Sequence, residues 1–469
     1  MSHSTPVASD LNEFKRNLDQ IHSRITKALR TKRRDLGWRK SQLLALTALL
    51  TENEELINDA LWKDFHKGPF ESAVTEIGIV VSEIDFMLSH LKSWTKPERV
   101  PTPFFNQLGS SHIRRDPFGL TLIIGAWNYP IQLLLAPLAA SICGGNAAII
   151  KPSELPANTA HLISSLVPKY LDNDLIAVVE GAIPETTALL DKKFDLIFFT
   201  GSIPVGKIVM SKAAANLTPV VLELGGKSPA IVLDDADIRI AARRLVWGKF
   251  MNAGQTCVAP DYVLVHPEIK QLLIEELKSA LKELYGENVK ENRDYCRIID
   301  ARNFGRLVAL LEGARILHGG NSDKASLFIE PTIVSATPDD ATMQDEIFGP
   351  ILPVVEIGSL ESAVQFVVDR PKPLALYIFS ENSRAIEKVL NQTSSGGVSI
   401  NDVIMHMAGT TLPFGGVGAS GMGNYHGKWS FTTFTHEKAV YQKSTLFDVR
   451  LRYAPYTAGK LRLVKRIFR

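Results

Sequence analysis

Hydrophobic residues follow two different patterns along the chain. Up to about residue 95 they recur at helical spacing, as Leu43, Leu46, Leu50, Ile57 and Leu61 do. That spacing predicts amphipathic helices. From about residue 120, short apolar runs such as "LTLIIGAW" and "DLIFFTGS" alternate with helical stretches. Alternation of this kind predicts βαβ units with a parallel sheet that is covered on both faces.

The strand–helix alternation falls into two series, which predicts two α/β domains. The first series runs to about residue 216, and the second begins with "TPVVLELGG" and ends with "GGVSIND". Before the first series, three prolines and a glycine in "KPERVPTPFFNQLGSSHI" break the helical pattern. We interpret residues 99–116 as either a domain boundary or an excursion from the first domain. We expect them to pair with the strand-like stretch "FTTFTHEKAVYQ".

Composition argues against several classes of function. The 52 Lys and Arg residues nearly balance the 50 Asp and Glu residues, which disfavours nucleic acid as the main partner. The 11 histidines show no HExxH or similar ligand spacing, and no GxSxG motif is present, so we expect neither a metal site nor a serine nucleophile. The N-terminal residues lack the apolar core of a secretory signal, and three scattered cysteines form no disulfide framework. Both features favour a reducing, cytoplasmic location.

Two segments bear on contact with a membrane. The most apolar region, residues 118–150, is interrupted by Asn128, Pro130 and Gln132 and by a pair of glycines. It lacks the ~18–20 uninterrupted apolar residues that a transmembrane helix needs, so we predict no integral membrane segment. The C-terminal "GKLRLVKRIFR" is basic and apolar by turns. It is either an exposed terminus or a segment that makes weak contact with an anionic membrane surface.

Three polar side chains near predicted strand ends or loops are candidates for chemistry. Cys257 lies in the loop "NAGQTC" and is either a nucleophile or an apolar filler. By contrast, we expect Cys143 on an apolar helix to be inert, and Cys296 lacks a comparable loop. Glu223 in "LELGGKSP" is either a general base, with a pKa that burial raises, or a structural carboxylate. Asn128 in "GAWNYP" is either a donor to an oxyanion or a turn residue.

A candidate phosphate-binding turn follows the predicted strand "DLIFFT". Gly201 ends that strand and Gly206 lies in the following helix, whose first N–H groups suit a pyrophosphate. The GxxxxG spacing departs from the GxGxxG fingerprint, so a plain tight turn stays as the alternative. Lys151 and Glu154 in "IIKPSE" follow another strand, either as ribose contacts or as solvated charges.

Taken in order, the motifs resemble those of the aldehyde dehydrogenase superfamily: "GAWNYP", "KPSE", "FTGS", "LELGGKSP", "GQTCVAP", "EIFGP" and "LPFGGVGASGMG". The resemblance covers about residues 10–455, and "TSSGGVSIND" and "SGMGNYHGKWSF" are most similar to the class 3 enzymes of fatty and aromatic aldehydes. It implies an α/β fold with two Rossmann-like domains and a small β oligomerisation element. The implied spans are 1–98 and 117–222 for the cofactor domain, 223–420 for the catalytic domain, 99–116 and 421–445 for the oligomerisation element, and 446–469 for the tail.

The resemblance also implies roles for residues. Cys257 matches a nucleophile that forms a thiohemiacetal and then a thioester, and Asn128 with the Cys257 N–H matches the oxyanion hole. Glu223 matches the base that activates water for hydrolysis. The cofactor-binding positions are matched by Lys151, Glu154, Thr200, Gly201, Ser202, Gly206, Leu224, Gly225, Glu346 and Phe348. For Lys249, a role in the site and a surface charge both stay open.

These matches imply NAD(P)-dependent oxidation of an aldehyde to a carboxylic acid by a homodimer. Glu154 would repel a 2′-phosphate, so we expect NAD with some use of NADP. An apolar tunnel for medium- or long-chain aliphatic or aromatic aldehydes would include side chains that could equally be core packing: Tyr129, Trp247, Met251 and Ile404. The tail differs from the long hydrophobic anchor of the membrane-bound fatty aldehyde relatives.

The same motifs leave two other interpretations besides aldehyde oxidation to a carboxylic acid. In a CoA-acylating dehydrogenase, CoA rather than water takes the acyl group. Glu223 disfavours that interpretation, because hydrolysis is the route that needs a base. A non-catalytic binding protein on the same fold is disfavoured by the joint presence of Cys257, Glu223, Asn128 and Glu346.

Overall fold

The structure, a computed structural model, describes residues 11–446 and 448–468. The α-helices are α1 (Leu11–Thr31), α2 (Leu36–Glu52), α3 (Glu54–Phe65), α4 (Pro69–Ser72), α5 (Ile79–Trp94), α6 (Gln132–Gly144), α7 (Ala157–Tyr170), α8 (Ile183–Leu190), α9 (Ile203–Ala214), α10 (Ile238–Phe250), α11 (Pro267–Tyr285), α12 (Ala301–Ala309), α13 (Ala341–Gln344), α14 (Leu360–Val368), α15 (Ser383–Gln392), α16 (Gly427–Thr433) and α17 (Ala458–Ile467). The strands are β1 (Glu98–Val100), β2 (Gly109–Pro117), β3 (Leu120–Ile124), β4 (Ala147–Lys151), β5 (Ile176–Val178), β6 (Leu196–Gly201), β7 (Val220–Leu224), β8 (Pro229–Val232), β9 (Tyr262–Val265), β10 (Arg315–His318), β11 (Ser322–Asp323), β12 (Phe328–Ile329), β13 (Thr332–Ala336), β14 (Ile351–Glu356), β15 (Ala375–Phe379), β16 (Gly397–Ile400), β17 (Gly421–Met422) and β18 (Thr435–Lys443).

The N-terminal helices confirm the helical prediction for this region. In α2, the apolar face is fully buried at Leu43, Leu46 and Leu50. Helix α2 packs against α5 and α6, and α3 packs against α7. The five N-terminal helices therefore belong to the helical layers that cover the first large sheet, rather than to a separate helical domain.

The first large sheet has the order β17-β7-β6-β3-β4-β5. Its strands β7, β6, β3, β4 and β5 run parallel, and the short β17 is antiparallel to β7. Strands β3 and β4 are buried at every position, as expected for parallel strands covered on both faces. The α/β prediction for the first series is confirmed.

The second large sheet has the order β10-β13-β14-β9-β8-β15-β16. All neighbouring strands are parallel except β10, which pairs antiparallel with β13 at one edge. Helices α10 and α11 pack against each other, and α14 packs against α15. This sheet confirms the second α/β series.

Strand β7 lies in a different sheet from the one its place in the sequence series suggested. The strand–helix alternation predicts that "TPVVLELGG" belongs to the second series. In the structure, β7 pairs in parallel with β6, where Thr200 lies opposite Glu223 and Gly201 opposite Leu224. The chain enters the second sheet only at Pro229. The alternation of strands and helices is continuous here, so periodicity could not show which sheet receives this strand.

A third sheet confirms the expected pairing of the excursion with the C-terminal strand. Its order is β1-β2-β18, and β1 pairs antiparallel with β2. The chain divides into two compact units: the described residues up to Trp94 with Pro117–Thr435, and Thr95–Asp116 with the described residues from His436 on. Within the described ranges, every helix is too short or too polar to cross a bilayer.

Residues 421–435 were expected in the oligomerisation element, but they belong to the first unit. Here α16 forms where the sequence suggested a strand. The Glu83 carboxylate of α5 accepts hydrogen bonds from the Gly427 N–H (2.9 Å) and from His426 Nδ1 (2.9 Å). A carboxylate at the first turn stabilises a helix. Because this cap comes from a residue more than 300 positions away, local sequence could not reveal it.

Candidate active site

Cys257 lies in a tightly constrained loop after α10. Asn252 and Ala253 both adopt φ 52°, in the left-handed region that is unfavourable for side-chain-bearing residues. Gly254, at φ 74°, passes so close to the carbonyl of Gly349 that a Cβ there would lie 2.2 Å from its oxygen. Backbone strain of this kind persists where surrounding contacts impose it, often at functional sites.

Asn128 forms hydrogen bonds with this loop. Its Nδ2 donates to the carbonyl of Gln255 at 3.0 Å, and its own carbonyl accepts from Asn252 Nδ2 at 2.9 Å. The neighbouring Tyr129 hydroxyl lies 2.6 Å from Thr256 Oγ1. A side-chain amide has two N–H bonds, so Asn128 keeps a second one for another acceptor. The structure thus brings the predicted oxyanion donor to the loop of the predicted nucleophile.

Glu223 is the penultimate residue of β7, and its carboxyl group is buried. It is 3% exposed, and neither of its oxygens has a hydrogen-bond partner within the described residues. Burial raises the pKa of Glu223 well above its usual value, because the charged form loses its solvation. A buried carboxyl group without a partner is costly unless a water or a reactant binds to it. The prediction of a buried carboxylate is therefore confirmed.

Cys257 itself is half-buried, and the carboxylates of Glu346 and Glu223 both affect the pKa of its thiol. Burial, followed by the Glu346 and Glu223 carboxylates, raises the pKa of the Cys257 thiol to about 12. Hydrogen bonds from the N–H groups of Cys257 and Val258 act in the opposite direction. In the structure as it stands, the thiol is the resting form of this cysteine.

The residues predicted to hold the adenosine end of a cofactor lie at neighbouring strand ends. Lys151 Nζ is 3.0 Å from Glu154 Oε2, with the lysine buried and the carboxylate largely exposed. Thr200 is 7% exposed, yet its hydroxyl has no partner within the described residues. Helix α9 begins just after Ser202, whose side chain caps none of its N–H groups. The orphaned hydroxyl and the uncapped helix terminus fit a dinucleotide.

Gly206 and Gly225 allow close packing beside this turn. A Cβ on Gly206 would lie 2.7 Å from the Leu224 side chain, and a Cβ on Gly225 would lie 2.1 Å from Glu346 Oε2. Burial raises the pKa of Glu346 to about 8. The nearby Phe348 adopts φ 49° and packs its ring against Trp127, with 5.2 Å between ring centroids. The contacts at Gly206 and Gly225 thus connect α9, the end of β7 and Glu346.

Other predicted residues have mixed environments. Tyr129 and Ile404 are buried, Met251 is partly buried, and Trp247 is 38% exposed, so the structure does not group all four as a lining. Lys249 is fully buried 3.5 Å from Asp261 Oδ1, and burial lowers its pKa to about 8. The surface-charge alternative for Lys249 is therefore wrong.

Sequence reasoning missed several buried charged groups around the site. Glu71 accepts a hydrogen bond from the N–H of the strained Asn252. Lys67 forms a fully buried ion pair with Glu76, close to Asn128. The break "HKGPFES" between helical stretches was the one signal that this segment has a special conformation. Nothing in the sequence pattern marked these charges as buried.

The chain is similar to aldehyde dehydrogenases along most of its length. A profile described as "Aldehyde dehydrogenase family" matches residues 15–440. The chain is 48% identical over 434 residues to "Aldehyde dehydrogenase, dimeric NADP-preferring" of Canis lupus familiaris. That match covers 92% of this chain and 96% of the relative. It is 48% identical over 439 residues to 4,4'-diaponeurosporen-aldehyde dehydrogenase of Staphylococcus aureus. That match covers 93% of this chain and 95% of the relative. The solved "Substrate bound state of Staphylococcus Aureus AldH" superposes with a TM-score of 0.95 at 46% identity, over 96% of this chain and 99% of that one.

The raised pKa of Cys257 predicts how its reactivity depends on pH. Below a pKa of about 12 the thiolate fraction grows tenfold per pH unit. Alkylation of the cofactor-free protein by iodoacetamide should therefore accelerate about a hundredfold between pH 7 and pH 9, without a plateau. Intact mass measured against time gives the rate.

The Cys257→Ser variant is the control, and it should take up almost no label, because Cys143 and Cys296 are buried. A wild-type rate that levels off near pH 8 would show that the thiolate is already formed at neutral pH.

Proposed function

Because the chain belongs to the aldehyde dehydrogenase family, we propose that Cys257, Asn128 and Glu223 carry out its reaction. The reaction is the NAD(P)-dependent oxidation of an aldehyde to a carboxylic acid. The observation that supports these roles best is the hydrogen bond from Asn128 Nδ2 to the Gln255 carbonyl, because it holds an amide donor beside the Cys257 loop.

In the proposed mechanism, the Cys257 thiol first loses its proton to solvent, and the thiolate then attacks the carbonyl carbon and forms the C–S bond of a thiohemiacetal. The carbonyl π electrons move to oxygen, where the second N–H of Asn128 and the Cys257 N–H stabilise the negative charge. Bound NAD(P) supplies the acceptor for the hydride that then leaves the former aldehyde carbon. A thioester on Cys257 remains. The Lys151–Glu154 pair, Thr200 and the α9 terminus would hold the adenosine and phosphate portions, and Glu346 and Phe348 the nicotinamide end.

Glu223 acts in the second half of the proposed reaction. It takes a proton from water, the resulting hydroxide attacks the thioester carbon, and the C–S bond breaks to release the acid and the thiolate. The raised pKa of Glu223 makes it a stronger base but leaves less of it ionised at neutral pH. Hydrolysis should therefore speed up as the pH rises through the neutral and alkaline range.

Replacing Glu223 by Gln separates the two half-reactions. The variant should still give a burst of NADH, followed by turnover slowed by about 10²–10⁴-fold and no longer increasing with pH. Stopped-flow absorbance at the NADH band measures both phases. Cys257→Ala should abolish both phases, and the exposed Glu312→Gln should change neither.

Normal NADH formation by Cys257→Ala would contradict the proposed nucleophile. Loss of the burst in Glu223→Gln with unchanged later turnover would contradict the proposed base. Acyl-CoA formed in preference to acid when CoA is added would favour the CoA-acylating alternative.

We propose medium- or long-chain aliphatic or aromatic aldehydes as substrates. Buried Tyr129 and Ile404 give the surroundings of the Cys257 loop an apolar character. The Staphylococcus aureus relative is named 4,4'-diaponeurosporen-aldehyde dehydrogenase. We propose NAD as the preferred cofactor because of Glu154, with NADP also accepted, as the name of the Canis lupus familiaris relative suggests.

A series of straight-chain aldehydes tests the substrate proposal. Each added CH₂ that enters an apolar tunnel contributes about 0.8 kcal/mol, so kcat/KM should rise about fourfold per CH₂ until the tunnel is full. The series is measured with NAD and with NADP in parallel. A flat series would exclude an apolar tunnel, and consistently higher kcat/KM with NADP would reverse the proposed cofactor preference.

We also propose a cytoplasmic homodimer that makes weak contact with anionic membranes. The unpaired state of all three cysteines supports a reducing compartment, and the Canis lupus familiaris relative is named as dimeric. The second unit carries twelve Lys and Arg residues against four acidic ones among its described residues. Within it, α17 is basic and exposes Leu461 and Leu463, and the exposed Phe468 follows the helix. Basic residues beside exposed apolar ones favour an anionic lipid surface.

Sedimentation with lipid vesicles tests the membrane contact. The protein should bind phosphatidylserine vesicles at low salt, bind neutral phosphatidylcholine vesicles far less, and dissociate at high salt. Reversing two charges, in Lys465→Glu/Arg466→Glu, should weaken binding at least tenfold, at about 1 kcal/mol for each charge removed. Leu217→Asp, at an exposed site in the other unit, should change nothing. Equal binding to both vesicle types, or to neither, would contradict the proposal.

A further inference from the structure

Lys67 and Glu76 form an ion pair that packing does not explain. Lys67 Nζ lies 2.6 Å from Glu76 Oε1, and both side chains are completely inaccessible to solvent. Burying two ions costs several kcal/mol for each, and apolar side chains of similar volume often give equal or greater stability. An interaction of this kind calls for a reason other than stability.

The further hydrogen bonds of the pair go to one short turn, residues 128–132. Glu76 Oε2 accepts hydrogen bonds from the N–H groups of Ile131 and Gln132, both at 3.1 Å. Lys67 Nζ lies 3.5 Å from the Asn128 carbonyl oxygen and 4.3 Å from the centroid of the Tyr129 ring. The two ions therefore contact the backbone on both sides of the turn that leads from Asn128 into α6.

The local backbone that carries the pair is unusual in itself. Glu76 belongs to a π-helical segment, Ala73–Gly78, between α4 and α5. Lys67 follows His66, which ends α3 in the left-handed conformation at φ 54°. π-Helical segments cost stability and occur frequently at functional sites. Two irregular backbone features thus bring both charges to the same turn.

The turn carries the amide that binds the reacting oxygen in the proposed mechanism. Asn128 is held from the other side by Asn252 Nδ2 at its carbonyl and by the Gln255 carbonyl at its side chain. With the contact from Lys67, elements before and after Asn128 fix its backbone from two directions. A displacement of about 1 Å in such a donor can slow a reaction about a hundredfold.

We propose that the Lys67–Glu76 pair is a positioning element that holds the Asn128 amide where the oxyanion develops. The inference rests on the proposed role of Asn128. The pair touches the turn rather than the reactants, so it acts through Asn128, and its loss matters only while the Asn128 amide is present.

A double-mutant cycle tests this coupling. Lys67→Met/Glu76→Gln removes both charges while keeping volume and one acceptor oxygen. It should slow the NADH burst by about 10–100-fold in the wild-type background. In an Asn128→Ala background the same change should slow the burst less than twofold, because the amide to be positioned is already absent. The exposed pair Lys63→Met/Asp59→Asn, on the adjoining helix, is the matched control and should change neither rate.

Two further measurements separate positioning from general damage. Alkylation of Cys257 needs no oxyanion hole, so its rate should match that of the wild type in every variant. Circular dichroism should show the same secondary structure throughout. If the variant does not fold, Lys67→Gln/Glu76→Gln, which also removes both charges but keeps a polar group at each position, replaces it in the same cycle.

Two results would overturn the positioning role of the pair, and a third would overturn the role of Asn128 on which it rests. An equal slowing in both backgrounds would show that the pair acts independently of Asn128, and an unchanged burst would show a purely structural pair. A normal burst in Asn128→Ala alone would instead remove the oxyanion role on which the inference rests, while the Cys257 and Glu223 results would still test the rest of the mechanism.

Discussion

Exclusion of water around the Cys257 loop governs the chemistry of this site. Burial is the largest cause of the raised pKa at Cys257, at Glu223 and at Glu346. In surroundings of low polarity an unpaired charge is costly, so all three groups favour their neutral forms together. The same surroundings make each fixed N–H donor far more valuable to a developing oxyanion than it would be in water. Protonation at rest and stabilisation during reaction therefore have one physical origin.

This environment depends on how the chain passes from the first large sheet to the second. Strand β7 ends at Leu224, and β8 begins at Pro229. Between them, a side chain at position 225 would collide with Glu346, and one at position 226 would approach the backbone of Leu374 to 3.1 Å. Glycine at both positions avoids these close contacts. The crossing between the two sheets places Glu223, on the first sheet, and Glu346, which precedes β14 of the second, close enough to raise the pKa of Cys257 together.

Periodicity in the sequence was sufficient for the α/β class, for the two strand–helix series and for the pairing of the excursion with the C-terminal strand. It could not assign β7 to its sheet or find α16, because strand partners and a distant cap such as Glu83 are not encoded in local patterns. The motifs indicated Cys257, Glu223 and Asn128, and the structure places them around one loop, although their roles stay predictions. Lys67 and Glu76 escaped notice because a charged residue, whether in a loop or in a helical stretch, ordinarily indicates a solvated position.

The most costly local features of the molecule are concentrated around Asn128 and Cys257. Left-handed backbone at Asn252 and Ala253, the π-helical segment and a completely buried ion pair each reduce the stability of the fold. Packing of apolar side chains could fill the same space, but it has no direction, whereas N–H, carbonyl and carboxylate groups fix both distance and angle. A reaction that develops charge on one oxygen atom requires that angular precision. In the proposed mechanism, these unfavourable features share one consequence, which is to keep the Asn128 amide and the Cys257 thiol in a fixed relation.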